Sequence, residues 1–220
     1  MKKLALLVCA AFCAIAMNAQ LVTSTSQGLV TEPKAPKESK TTWMFKVGMA
    51  TNNFVGENWG DSDTKIGYNF GFEFNRTMGK KGAYWGMDFL FGSRGYKYSE
   101  GEYDFKHKAH NFQWSPFTFG WKVDVANKIT IDPHLGVFLA IDYAGKQVAE
   151  YDGEEADISI WDVEDYIPVD LGMKIGVGVW FNKKFNLDLT YQRGFVNAFD
   201  FGEDYSSKTN NFLIRLGYAF

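Results

Sequence analysis

Residues 167–179 read Ile-Pro-Val-Asp-Leu-Gly-Met-Lys-Ile-Gly-Val-Gly-Val. Every odd position is bulky and apolar: Ile167, Val169, Leu171, Met173, Ile175, Val177 and Val179. The even positions from Asp170 on are Asp170, Gly172, Lys174, Gly176 and Gly178. A period of two places the two sets on opposite faces of a β-strand, whereas a helix would mix them. Seven further stretches alternate in the same way, around 43–49, 66–75, 85–92, 117–123, 129–141, 185–192 and 211–220. An eight-stranded barrel has an interior just wide enough for side chains to fill, so it cannot hold the bulky face of all eight strands. The apolar faces therefore point outward against lipid, and the faces of Gly, Asn, Asp, Thr, Lys and Arg point inward. The predicted fold is all-β, an eight-stranded antiparallel up-and-down transmembrane β-barrel over residues 42–220.

The connections agree with this reading. Short ones fall near 78–82, 124–127 and 182–184, and long ones near 52–65, 93–110, 142–166 and 194–210. Short turns at one end and long loops at the other is the outer-membrane barrel pattern. Near the short-turn end, the outward parity carries Trp43, Phe74, Trp85, Trp121, Phe181, Phe185 and Phe220, an aromatic girdle at one membrane interface. Composition excludes other classes. With Phe 20, Tyr 11 and Trp 7 among 220 residues, the chain is too aromatic for a disordered protein. A net charge of −3 argues against nucleic acid as a partner.

The N-terminus reads as a secretory signal. Lys2 and Lys3 precede an uncharged stretch from Leu4 to Met17, followed by Asn18-Ala19-Gln20. The expected boundaries are a signal peptide at 1–19, a flexible segment at 20–41 rich in Ser, Thr, Lys and Pro, and the barrel from 42. Cys9 and Cys13, the two cysteines of the chain, would leave with the signal.

Several residues invite a chemical reading. Lys46, Glu73, Asp88, Asp132, Lys174, Asp188 and Arg215 fall on inward parity at similar depth. Arg215 is expected to reach Asp188, and Lys46 to reach Glu73, forming an ion-pair plug that seals the lumen. The rival reading of the same residues is a gated ion path, a narrow pore. The third long loop holds Glu150, Asp152, Glu154, Glu155, Asp157, Asp162, Glu164 and Asp165. It reads as a solvated acidic loop, with Ca²⁺ binding or lipopolysaccharide bridging as the alternative, and Ile158, Ile160 and Trp161 in it suggest a contact at the rim. His107 and His110, with Ser115 and Asp104 nearby in sequence, are what a lipid-modifying enzyme would use, although no catalytic motif is visible.

The signal ending Asn18-Ala19-Gln20, the run at 170–179, the segment Leu-Thr-Tyr-Gln-Arg-Gly at 189–194 and the terminal Phe-Leu-Ile-Arg-Leu-Gly-Tyr-Ala-Phe at 212–220 resemble small outer-membrane β-barrels of the Bacteroidota type. These are the PorT-like or outer membrane protein beta-barrel families. The resemblance implies that Phe212, Ile214, Leu216, Tyr218 and Phe220 form the signal read by the barrel-assembly machinery. It also implies a place in the outer membrane and suggests, by analogy, a role in secretion or surface assembly. The expected function is structural or surface-interactive, not enzymatic and without cofactor. The expected partners are outer-membrane lipid and lipopolysaccharide, the assembly machinery and an extracellular protein at the loops. A narrow pore or secretion-associated barrel, a lipid-modifying enzyme and a soluble lipocalin-like ligand-binding barrel stand as alternatives.

Overall fold

The computed structural model describes residues 41–56, 62–78, 82–100, 103–151, 154–200, 202 and 206–220. The expected signal and nearly all of the 20–41 segment lie outside the described residues. Among the described residues ten strands follow one another: β1 (Thr41–Val55), β2 (Lys65–Thr77), β3 (Ala83–Glu100), β4 (Tyr103–Trp121), β5 (Val123–Ala126), β6 (Ile129–Tyr151), β7 (Glu154–Ser159), β8 (Val169–Phe181), β9 (Phe185–Asn197) and β10 (Lys208–Ala219). Eight of them form the wall, in the order β4-β3-β2-β1-β10-β9-β8-β6, and pairing of β4 with β6 closes it. β5 prolongs β4 beyond Lys122 and β7 folds back on β6. All pairings are antiparallel.

The two faces are as the alternation predicts. Leu216, Ile175 and Leu135 are 64%, 59% and 57% exposed, whereas Lys46, Asp188 and Arg215 between such positions are 3%, 1% and 1% exposed. An apolar exterior around a charged, buried interior suits hydrocarbon outside and removes the soluble lipocalin-like alternative. The girdle residues touch along the wall: Trp43 packs edge-on to Phe74 at 5.0 Å, Phe74 on Trp85 at 5.9 Å, and Phe185 on Tyr218 at 5.4 Å. A second belt marks the long-loop end. There Tyr68 meets His110 Nδ1 at 2.9 Å, His110 stacks toward Tyr143, and Trp161 donates to Tyr143 O. Amphipathic rings at both edges of an apolar band fix its height.

Three loop boundaries need correcting. The 93–110 connection is mostly strand, because β3 runs to Glu100 and β4 starts at Tyr103. Within 142–166, β6 continues to Tyr151 and pairs with β7. Within 194–210, β9 continues to Asn197 and β10 begins at Lys208. A membrane strand needs about 9–11 residues, and β3, β4 and β6 have 18, 19 and 23. The excess stands above the rim as two hairpins. There the outward face turns polar, so the apolar-outward alternation disappears from the sequence although the ladder continues. A bulge also resets parity on β4 between Trp114 and Phe117, at Pro116, whose missing N–H cannot serve a regular ladder. At the opposite end the β8–β9 turn places Asn182 and Lys183 at φ 52° and 58°, the mirror-image turn that fits the twist of a hairpin.

Candidate functional site

β1 reads the lumen in order from the short-turn end. Its inward side chains are Met44, Lys46, Ala50, Asn52 and Phe54, and they enter successive layers. Met44 packs with Trp180 and Ala219; Ala50 packs with Leu90 and Leu213; Phe54 joins Tyr96, Ala109, Ile160, Tyr166, Ala198 and Phe199. Lys46 lies between the first two layers.

That level holds the charges. Lys46 Nζ is 2.6 Å from Glu73 Oε2 and 2.9 Å from Asp188 Oδ2. Arg215 Nη2 is 2.6 Å from Asp188 Oδ1 and also donates to Thr190 Oγ1 at 3.1 Å. His134 Nε2 lies 3.6 Å from Asp188. Lys174 pairs with Asp88. Six of the seven residues singled out from the sequence are thus ion-paired, in two groups. Asp132 instead accepts a bond from Trp180 Nε1 at 2.9 Å, and Lys122 Nζ stands 4.1 Å above the same indole. The charges balance: Lys46, Lys122, Lys174 and Arg215 against Glu73, Asp88, Asp132 and Asp188. Small residues make the room. A Cβ on Gly176 would lie 2.5 Å from His134 Nε2, and one on Gly136 would lie 3.1 Å from Lys174 Cε.

A second network lies nearer the long-loop end, and the sequence reading missed it. Arg94 Nε is 2.7 Å from Asp142 Oδ1, and its Nη1 is 3.3 Å from Asp170 Oδ2. Tyr166 donates its hydroxyl to Asp142, and Thr209 donates to Asp170 at 2.5 Å. Arg94 and Tyr166 fell inside presumed loops. The signal was available, because inward parity continues unbroken from Asp88 through Leu90 and Gly92 to Arg94.

Above this network sits an aromatic cap around His107. The imidazole is fully buried, 4.7 Å from the Tyr166 ring, 5.6 Å from Tyr96 and 5.8 Å from Phe199. It lies above the apolar band, three residues beyond His110. Burial, then the charges of Arg94 and Lys65, push it down to about 3. An imidazole that stays neutral when folded but takes a proton near pH 6.5 when unfolded makes stability fall as pH drops through that interval. The expected slope is about 1.4 kcal/mol per pH unit. Unfolding measured at pH 7 and pH 5 should therefore show the wild type losing about 2 kcal/mol more than His107→Phe; equal losses would place the ring in water.

The histidine-serine-acid grouping does not assemble. His107 points inward and His110 outward. Ser115 is buried eight residues down β4, about 26 Å from His107 at strand rise. Asp104 is held by Lys97 at 3.1 Å. The acids of the third long loop are likewise engaged or spread along a hairpin: Glu150 pairs with Lys106 at 2.7 Å and Asp157 pairs with Lys146. Asp152 lies outside the described residues. Ile160 is buried in the cap, while Ile158 and Trp161 are exposed.

The sequence profile described as "Outer membrane protein beta-barrel domain" matches residues 19–200. The chain belongs to this family. It is an integral outer-membrane β-barrel. Among curated proteins, none matches the chain. Solved structures similar to this chain include the following three. One is Ail, the attachment invasion locus protein of Yersinia pestis, in complex with the heparin analogue sucrose octasulfate (18% identity, 82% of this chain and 99% of that one, TM-score 0.40). Another is Neisserial surface protein A (13%, 81% and 97%, TM-score 0.46). The third is the outer membrane enzyme PagL (10%, 79% and 98%, TM-score 0.46).

Proposed function

We propose that this family member is a sealed, non-catalytic barrel that serves as a membrane scaffold and surface-interaction element. The observation that carries this reading is the stacked lumen. Along β1, Met44, Ala50 and Phe54 each enter a packed layer, Lys46 an ion-paired one, and Asn52 bonds to backbone carbonyls. Buried charge is tolerated in so small a barrel when paired in place, and an eight-stranded interior is just wide enough for side chains to fill. The parts free to interact are the two hairpins above the rim. β6–β7 presents Glu154, Glu155 and Asp157 beside exposed Ile158 and Trp161, which suits an extracellular protein partner with basic and apolar groups. The outward row Phe212, Ile214, Leu216, Tyr218 and Phe220 suits recognition by the barrel-assembly machinery. Within the family, the runs at 170–179, 189–194 and 212–220 support a place among the Bacteroidota-type, PorT-like barrels.

Planar-bilayer recording tests the seal. The purified chain is expected to give no resolved conductance steps. Steps that change amplitude in Lys46→Gln or Arg215→Gln would overturn the reading in favour of the narrow pore.

A further inference from the structure

The β2–β3 ladder ends at the Asn69–Gly92 pair; just above it Tyr68 N–H donates to Ser93 Oγ at 3.2 Å, and farther up the Asp63–Lys97 bridge rejoins the two segments. The gap is a cleft of about 530 Å³ in the outer wall, lined by Asp63, Lys65, Ile66, Lys97, Lys106 and Lys108. It opens just above the apolar band, over Ile66 and the Tyr68–His110 pair.

Four lysines line the cleft against one carboxylate, Asp63. Lys97 is matched by Asp104 at 3.1 Å and Lys106 by Glu150 at 2.7 Å. Lys65 and Lys108 have no carboxylate partner among the described residues. Lys65 Nζ finds only the carbonyl of His107, at 3.1 Å. Burial and the neighbouring Lys108 pull Lys65 down to about 8. Gly95, paired with Lys108, bears no side chain, and a Cβ there would run into His107 O, the atom Lys65 reaches. The bare backbone keeps the space open. With Asp63 as the lining carboxylate beside them, Lys65, half-buried, and Lys108 leave the cleft with an excess of positive charge, which suits an anion with several acceptor oxygens. The exposed Ile66, Tyr68 and Phe70 directly below form an apolar track along which acyl chains can descend.

We propose that the cleft between β2 and the β3–β4 hairpin binds the phosphate of an outer-leaflet lipid headgroup through Lys65 and Lys108, with the acyl chains lying against β2. The lipid would anchor the projecting hairpin to the leaflet surface and tie barrel height to membrane composition.

The test uses the full chain in detergent micelles and native mass spectrometry, with diphosphorylated lipid A, its dephosphorylated form and inorganic phosphate as probes. The double variant Lys65→Gln/Lys108→Gln is expected to bind diphosphorylated lipid A about tenfold more weakly or worse, the loss of at least one charge-assisted bond. Lys65→Arg/Lys108→Arg should restore binding, and Lys146→Gln on the far hairpin should leave it unchanged. Heat-dependent gel mobility confirms that each variant is folded. Equal lipid A binding by wild type and the glutamine variant, or equal binding of the dephosphorylated form, overturns the site. Inorganic phosphate binding as tightly as lipid A overturns the lipid as its source.

Discussion

Asp188→Ala is expected to destabilise the barrel by about 3–5 kcal/mol, the cost of stranding buried cations. Asp188 is the hub of the lower network. It faces Arg215 at 2.6 Å, Lys46 at 2.9 Å and His134 at 3.6 Å. Glu73 pairs with Lys46 alone among the lysines and arginines of that level. Without Asp188, Lys46 keeps one partner, but Arg215, 1% exposed, keeps only the Thr190 hydroxyl. A guanidinium in that position is left with no carboxylate in contact, while Asp88 and Glu73 act on it only from farther away. Urea unfolding in lipid vesicles, followed by gel mobility, reads the loss directly. Asp188→Leu combined with Arg215→Met supplies the contrast. Removing both charges together should be far milder than removing one, because the pair's attraction only offsets its desolvation. A loss below about 1 kcal/mol for Asp188→Ala would mean that water screens the site, as at a surface pair. That result would favour the pore.

The lower network was legible in the sequence where partners are neighbours in the wall. Arg215 lies directly opposite Asp188 in the β9–β10 register, and inward parity alone identifies both. Lys46 and Glu73 sit on adjacent strands, two residues apart in register, since Lys46 pairs with Gly71. Pairs across the lumen were not legible. Lys174 on β8 meets Asp88 on β3, on non-adjacent strands. Which residues share a depth across a barrel depends on its shear, which no single strand encodes. The upper network was hidden for a different reason. Arg94 and Tyr166 lie where the outer face leaves hydrocarbon, so the apolar half of the alternation is gone. Alternation reports the membrane as much as the strand, and it ends where the membrane does. The same loss hid the extensions of β3, β4 and β6.

A charge at the middle of the lipid face gives the second large effect. Ile175 is the central residue of β8 (Val169–Phe181), points outward and is 59% exposed. In water, a substitution at so open a position costs within about 0.5 kcal/mol either way. In hydrocarbon, Ile175→Arg should cost about 2–4 kcal/mol, because the guanidinium sits at the bilayer midplane with no protein partner. Ile129 provides the internal control. It is outward too, but pairs with Phe181 at the short-turn girdle, where an arginine can reach the headgroups and Ile129→Arg should cost only about 0–1 kcal/mol. The two variants differ in depth and little else, so the difference between them isolates the membrane from any general effect of a new charge on the sheet. Folding equilibria into phospholipid vesicles across a guanidinium series measure both. Equal costs at Ile175 and Ile129 would place the apolar face against something other than a bilayer. A depth-dependent gap of about 2 kcal/mol or more locates the band between the two aromatic belts. It would also place the lysine cleft beside Ile66 at the outer headgroup level, where a lipid phosphate lies.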